Sequence, residues 1–296
     1  MNKLTKRILS VFLAVAMIVT FLPPVTAQAA TNTDKLTLYK GEAYEISLLL
    51  GKLKSVSSSK KSVAPVKKVD GKAVITAKKV GKATVTLKTN RGNYKYVVTV
   101  KKFDITAKLS DMGNGTMLLT VKNNTKQTFT NIDVDYEIVD DQGTTRKTDT
   151  KAVSDVVAGK TVYATVSYES YNYAVDETKC TAKASVYSGF GGGRSSSYTY
   201  KNVGSSIKTT VDEDTSEADT VKLTIKSKST VKNDSANVTN YVLIYNSMDQ
   251  IIGMRTVPFY LRAGKLDTYD LKIDTKYVYK DYARYQVVTV AYSSTY

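Results

Sequence analysis

Histidine and tryptophan are absent from this 296-residue sequence, and cysteine occurs once, as Cys180. Without histidine there is no histidine-dependent nucleophilic triad and no imidazole-ligated metal. A single cysteine excludes an intrachain disulfide framework, so stability must come from packing. Burial as an inert thiol is the first expectation for Cys180, and a disulfide-linked dimer is the other. The C-terminal Tyr292-Ser293-Ser294-Thr295-Tyr296 carries neither an apolar stretch nor a sorting-type motif. The expectation is a mature chain that nothing fixes covalently to a membrane or wall.

What is present begins with a processing segment. Lys3, Lys6 and Arg7 precede an apolar run from Ile8 to Leu22, and Ala27-Gln28-Ala29 follows with small residues at cleavage-site spacing. The run is short and wrongly flanked for a membrane span, so residues 1–29 read as a signal peptide cleaved after Ala29. No stable membrane span is expected after processing.

Charge is unevenly distributed. Residues 31–102 hold 17 basic and 4 acidic residues, a net +13, whereas residues 103–296 hold 23 of each. The positive potential therefore belongs to one segment. Within that segment, Leu36 to Tyr39, Tyr44 to Leu50, Ala73 to Ala77, Ala83 to Leu87 and Tyr94 to Val100 read as strands. Ala83, Val85 and Leu87 alternate with polar residues, as do Tyr94, Tyr96, Val98 and Val100 with their neighbours, which predicts one buried face for each strand. Ser55 to Lys61 reads as a loop or irregular edge, and Pro65 should keep Ser62 to Val66 off a central position.

This ordered set resembles the bacterial immunoglobulin-like domain of group 2, the intimin/invasin-like family. The likeness is carried by Leu36-Thr37-Leu38-Tyr39-Lys40-Gly41-Glu42, by Val56-Ser57-Ser58-Ser59 with Ser62-Val63-Ala64, and by Asp70-Gly71-Lys72. It continues through Ala77-Lys78-Lys79-Val80-Gly81-Lys82-Ala83-Thr84-Val85-Thr86 and the closing Val97-Val98-Thr99-Val100. The family's usual tryptophan before the serines is missing here. The resemblance implies a non-catalytic building block of a surface protein. Lys60, Lys61, Lys67, Lys68, Lys72, Lys78, Lys79 and Lys82 form the densest positive run. They read either as a solvated face or as an attachment site for an anionic wall polymer or extracellular polysaccharide. No nucleic-acid motif accompanies them, so nucleic acid is not expected as a partner.

The remainder reads as a divergent repeat. Val157-Ala158-Gly159-Lys160 recurs 105 residues later as Arg262-Ala263-Gly264-Lys265, and Ser185-Val186-Tyr187-Ser188 recurs at the same offset as Val290-Ala291-Tyr292-Ser293. Asp140-Asp141-Gln142 corresponds to Met248-Asp249-Gln250. Two copies of one β-sandwich are expected. Their strands and Ala-Gly-Lys turns resemble FxLYD-type immunoglobulin-like domains of exported Gram-positive proteins. In the first copy Ile132, Val134, Tyr136 and Ile138 should face the core, with Asp133, Asp135 and Glu137 on a wet face.

The Gly-rich stretch after Ser188 reads as a linker or as a hairpin tip, with Tyr198-Thr199-Tyr200 folding back on Ser185-Val186-Tyr187. Asp212, Asp214, Glu217 and Asp219 form an acidic cluster that reads as a solvated linker, with calcium ligation as the lesser alternative. Tyr168, Tyr171 and Tyr173, and Tyr277, Tyr279, Tyr282 and Tyr285, are candidates for an aromatic surface facing a sugar or another surface protein, though tyrosine is also common inside sheets.

The expected architecture is all-β, three tandem immunoglobulin-like β-sandwich modules after a signal peptide: 34–102, 103–200, an acidic linker at 201–219, and 220–296. The expected function is non-enzymatic and requires no cofactor. It is adhesion or envelope association through the basic module, with a passive spacer or accessory subunit as the alternative and an exported hydrolase behind both.

Overall fold

Tyr241 to Tyr245 is apolar at every position, and a strand of that kind is buried on both faces. It organises two thirds of the molecule. The computed structural model describes residues 32–46, 51–113, 115–168, 173–187, 193–195, 199–232, 234–276 and 278–295. The expected signal peptide, and the second half of the expected strand from Tyr44 to Leu50, lie outside the described residues. The chain is all-β apart from one 3-10 turn at Gly204–Ser206 among the described residues.

The first unit contains β1 (Asn32–Tyr39), β2 (Ala43–Ile46), β3 (Leu53–Ser58), β4 (Val66–Val69), β5 (Lys72–Thr76), β6 (Gly81–Thr89) and β7 (Gly92–Lys101). The second contains β8 (Ile105–Asp111), β9 (Thr116–Asn123), β10 (Phe129–Val139), β11 (Thr145–Val156), β12 (Thr161–Ser167) and β13 (Thr181–Val186). Two short strands follow, β14 (Gly193–Ser195) and β15 (Thr199–Asn202). The third unit contains β16 (Ile207–Glu217), β17 (Thr220–Ser229), β18 (Ala236–Asn246), β19 (Ile251–Leu261), β20 (Leu266–Asp274) and β21 (Tyr282–Thr295).

In the first unit, the sheet β1-β7-β6-β3 faces the sheet β14-β2-β5-β4. Between them lie Leu38, Ile75, Ala83, Val85, Leu87, Val98 and Val100. Ser55 to Ser58, expected as a loop or irregular edge, belongs to β3, a sheet-edge strand paired with β6. β4 is also an edge strand, as Pro65 requires.

The second and third units share one topology. The sheets β11-β10-β13 and β12-β9-β8 of the second correspond strand for strand to β19-β18-β21 and β20-β17-β16 of the third. Gly159 and Gly264 occupy the same turn at φ 70° and 71°, a left-handed conformation that favours glycine. Ile132, Val134, Tyr136 and Ile138 all face the core of the second unit. Asp133, expected on the wet face, is buried at 7% exposure, while Asp135 is exposed and Glu137 half-buried. Most of the stretch read from sequence as a polar crossing, Thr145–Val156, forms the long edge strand β11.

Polar groups tie the facing sheets together. Asn123, at the end of β9, donates to the carbonyls of Gln127 at 2.8 Å and Val156 at 2.9 Å and accepts from the amide of Thr125 at 2.9 Å. In the third unit, Asn240 on β18 donates to Ser227 Oγ on β17 at 3.0 Å and accepts from Thr289 Oγ1 on β21 at 2.6 Å. Thr209 Oγ1 on β16 lies 3.0 Å from both Ser227 Oγ and Thr289 Oγ1.

The expected linker at 201–219 is not one. β15 pairs with the C-terminal strand β21 rather than folding back on β13, and β16 is the first strand of the third unit, paired with β17. β13 already ends at Val186. β14 crosses to the first unit and pairs in parallel with β2.

The units are joined through side chains as well. Tyr39 and Phe103 each meet Phe129 edge-on at 5.4 Å between ring centroids. On β18, Val238, Val242 and Ile244 point into the third unit's own core. Tyr241, Leu243 and Tyr245, with Val290 of β21, belong instead to the cluster that contains the second unit's core. The surface they meet is the outer face of β12-β9-β8, where Leu118 is fully buried and Tyr163 meets Tyr241 edge-on at 5.3 Å. Asn202 adds a hydrogen bond to the carbonyl of Ala158 at 2.8 Å. Units two and three are thus four sheets stacked as layers, with no wet face between the middle pair.

Candidate functional site

The basic run maps to one end of the first unit. The amide of Val63 donates to the carbonyl of Lys60, and the carbonyl of Val63 accepts the amides of Lys78 at 2.9 Å and Lys79 at 3.2 Å. This stitches the loop after β3 to the loop before β6. Lys60, Lys61, Lys78 and Lys79 therefore converge, and Lys82 lies beside them on β6, opposite Thr99. All five are exposed. They gather where β7 runs out toward the second unit, so the basic cluster sits at the junction and not at the free tip.

The other three lysines separate from this group. Lys67 and Lys72 lie on the outer face of the β4–β5 hairpin, and Lys72 pairs with Glu45 at 2.8 Å. Lys68 points across the open edge and donates to the carbonyl of Leu53 at 2.8 Å, which closes the unit. Among the described residues, Lys72 alone of the eight pairs with a carboxylate.

The tyrosines divide by unit. Tyr171 and Tyr277 lie outside the described residues. Tyr279 is core: it is buried, and it covers Gly253 so closely that a Cβ there would fall 2.2 Å from its ring. Tyr282 and Tyr285 are half-buried against the third core. The three do not form an open aromatic surface.

Tyr168 and Tyr173 do line an open groove of about 600 Å³ at the far tip of the second unit, together with Arg146, Lys147 and Ser167. Their rings are 6.1 Å apart. The Tyr168 hydroxyl donates to Asp111 at 2.9 Å, and burial followed by that hydrogen bond pushes its pKa above the usual phenol value. The Arg146 guanidinium lies 4.7 Å from the centre of the Tyr173 ring and is held by Asp140 at 2.6 Å. Lys147 donates to the carbonyl of Ser167 at 2.7 Å, spanning the open side between β11 and β12. Sequence reasoning found the tyrosines and missed the cations, because the strand that carries them was read as a crossing.

Burial by itself would raise the pKa of Asp140. The Thr144 amide, the Arg146 hydrogen bond and charge, and the Gln142 amide outweigh burial and hold the carboxyl below its ordinary range. Nearby, the Thr178 hydroxyl and then Lys179 hold Asp176 at about 2. A depressed folded pKa contributes stability above the unfolded value and loses it as pH falls through the folded one. This tip is therefore expected to stay closed near neutral pH and to loosen below about pH 4. Hydrogen exchange should then show protection of the Gly143 and Thr144 amides, which bond to Asp140, lost before protection in β9. Simultaneous loss everywhere would contradict it.

The cluster's acidic residues on β16, and Asp219 just after it, are each met by a lysine or an amide. Asp212 pairs with Lys226, Glu217 with Lys222 and Asp219 with Lys276. Asp214 accepts from the amide of Ser216 at 2.8 Å. No group of three potential metal ligands occurs among the described residues, so the calcium alternative finds no geometry in this cluster. Cys180 is half-buried beside the Val139 amide, and burial pushes its thiol up.

The chain matches no family model and no curated protein. Among solved structures, one that is similar is the C-terminal globular domain of an oligosaccharyltransferase from Pyrococcus abyssi, at 9% identity and a TM-score of 0.14. The match covers 79% of this chain and 51% of that one, so the chain spans about half of its length. A likeness at that score carries no argument about fold or activity. Among the described residues, no helix is long and apolar enough to cross a membrane.

Proposed function

We propose that this chain is a non-catalytic, exported protein of three immunoglobulin-like β-sandwich modules, held to an anionic polymer of the envelope or matrix by its first module. The observation that carries this reading is the convergence of Lys60, Lys61, Lys78, Lys79 and Lys82, all exposed. In the acidic cluster of the third unit, by contrast, each of Asp212, Glu217 and Asp219 has its own lysine. Like charges gathered on a surface without carboxylates repel one another, and a polyanion relieves that repulsion while releasing its counterions. Because the cluster lies at the junction, a bound polymer would run across the waist of the molecule and leave both ends free.

A second reading, a rigid spacer, is favoured by the layered packing of units two and three. The two readings separate on one comparison. The full chain and its K60Q/K61Q/K78Q/K79Q/K82Q variant would be titrated with purified wall teichoic acid and with polygalacturonate. The proposal expects binding at least about tenfold weaker in the variant with one or both polymers at low salt. Equal binding, or none by the wild-type chain, would leave the lysines as a solvated face and favour the spacer.

A further inference from the structure

The turn between β10 and β11 and the turn between β18 and β19 are two copies of one structure, closed by different chemistry. Asp140 and Asn246 occupy the same position, so the structure aligns the turns two residues earlier than the expected match of Asp140-Asp141-Gln142 with Met248-Asp249-Gln250. Each amide donates at 3.0 Å to the carbonyl four residues on, Thr144 in one copy and Gln250 in the other. Each side-chain Oδ1 accepts the amide of that same later residue, at 2.7 Å in the second unit and 2.9 Å in the third. The third unit completes the turn without charge, because Asn246 Nδ2 donates to Gln250 Oε1 at 2.9 Å. The second unit buries a carboxylate there and needs Arg146 to balance it.

A buried ion pair is a poor source of stability compared with a neutral closure of the same turn. The third unit demonstrates that the fold has the neutral solution within reach. What the charged version adds is a guanidinium lying on Tyr173 and bordering the groove shared with Tyr168 and Lys147, whereas the third unit's arginine at this end, Arg284, is bonded to Asp249 and stacked on Tyr245. At the corresponding end of the third unit Tyr279 is instead folded inward over Gly253.

We infer that this groove is a binding site for one acidic sugar unit, a uronate residue of a glycan. Arg146 and Lys147 are the charged groups that line the groove, while Asp140 sits beneath Arg146 and Asp111 behind the Tyr168 hydroxyl, so the face that a ligand meets is cationic and suits a carboxylate. Arg146 donates to Asp140 through Nε and one terminal nitrogen, so its remaining N–H groups are available for a carboxylate oxygen. The tyrosine rings provide an apolar wall for the C–H face of a pyranose. About 600 Å³ accommodates a mono- or disaccharide and is well short of an extended polymer. The site is separate from the lysine cluster and does not depend on the polymer reading.

The test uses the full chain, trigalacturonate as the probe and neutral galactotriose as the control, read by calorimetry and by shifts of tyrosine ring protons. D140N/R146Q rebuilds the neutral closure of the third unit and should fold. Y173A removes part of the aromatic wall from a half-buried position. The proposal expects trigalacturonate to bind at least about tenfold better than galactotriose. It expects a loss of about tenfold or more in each variant, both in the wild-type background and in the K60Q/K61Q/K78Q/K79Q/K82Q background. Equal binding of the neutral trimer, no binding of trigalacturonate, or undiminished binding by a folded D140N/R146Q or by Y173A would overturn it. If only the lysine variant loses binding, the acidic sugar is held at the first unit and the groove proposal fails.

Discussion

Replacing Leu243 with alanine is expected to cost about 2–5 kcal/mol, the range for deleting a large buried aliphatic side chain, and to destabilise the second and third units together. Leu243 is 1% exposed, yet it points away from the core of its own unit. Its neighbours on that face, Tyr241, Tyr245 and Val290, belong to the apolar cluster built on Met117, Leu119 and Ile132 of the second unit. A cavity at Leu243 therefore opens between the two middle sheets. The contrasting substitution is Val242→Ala, one residue away on the opposite face, which packs only within the third core. Urea unfolding followed by hydrogen exchange should show L243A lowering protection in β9 and β12 as well as in β18. V242A should lower it in β17, β18 and β21 first. If L243A leaves β9 and β12 untouched, units two and three do not share a core.

The second large effect is expected at Asn240. This side chain is fully buried and satisfied by Ser227 and Thr289, with Thr209 alongside. Removing one member of a buried polar group strands the others without water. Asn240→Ala should cost about 3 kcal/mol, made up of lost hydrogen bonds and of the Ser227 and Thr289 hydroxyls left with Thr209 as their one remaining side-chain partner. The origin of that cost can be checked by removing the partners too. In N240L/S227A/T209V/T289V every polar group is replaced by apolar volume, and the quadruple variant should recover most of the loss. A quadruple variant that falls as far as the sum of four separate deletions would place the cost in packing and not in unsatisfied polar groups.

Both predictions depend on features that the sequence displays unequally. Alternation gave the inward faces of Ala83, Val85 and Leu87 and of Ile132, Val134, Tyr136 and Ile138, because each has one dry side and one wet side. It failed for β3, β11 and β16, which carry serine, threonine, lysine or acid at nearly every position. Edge strands are held by backbone pairing and have little burial to write into the sequence. The unbroken apolar run Tyr241-Val242-Leu243-Ile244-Tyr245 did carry a signal, since a strand without polar positions has no wet face. Reading it that way would have placed another layer over the third unit.

The candidate sites follow the same logic. The lysine run is visible as composition, but its division is not. Lys60 and Lys61 meet Lys78 and Lys79 only because the carbonyl of Val63 bonds across two loops, while Lys68 is turned to an inter-sheet edge by the register of β4 on β5. The acidic cluster reads as a solvated linker from sequence because its residues are close together and carry no apolar alternation. In β16 Asp212 and Asp214 share a face, and the lysines of β17 on that face, Lys222 and Lys226, lie opposite or diagonal to them. At the tip of the second unit, Tyr168 and Tyr173 were recognisable, whereas Arg146 reaches them only through a buried Asp140.

The measurement that bears most directly on the central claim is the salt dependence of full-chain binding to purified cell walls, with and without teichoic acid, from about 50 to 500 mM. Attachment through five converged lysines predicts binding that falls steeply, with a log–log slope of about −3 to −5 for five released counterions. Binding should also vanish when the polymer is removed. Binding that is indifferent to salt, or that persists on walls stripped of the polymer, would contradict attachment through the basic module.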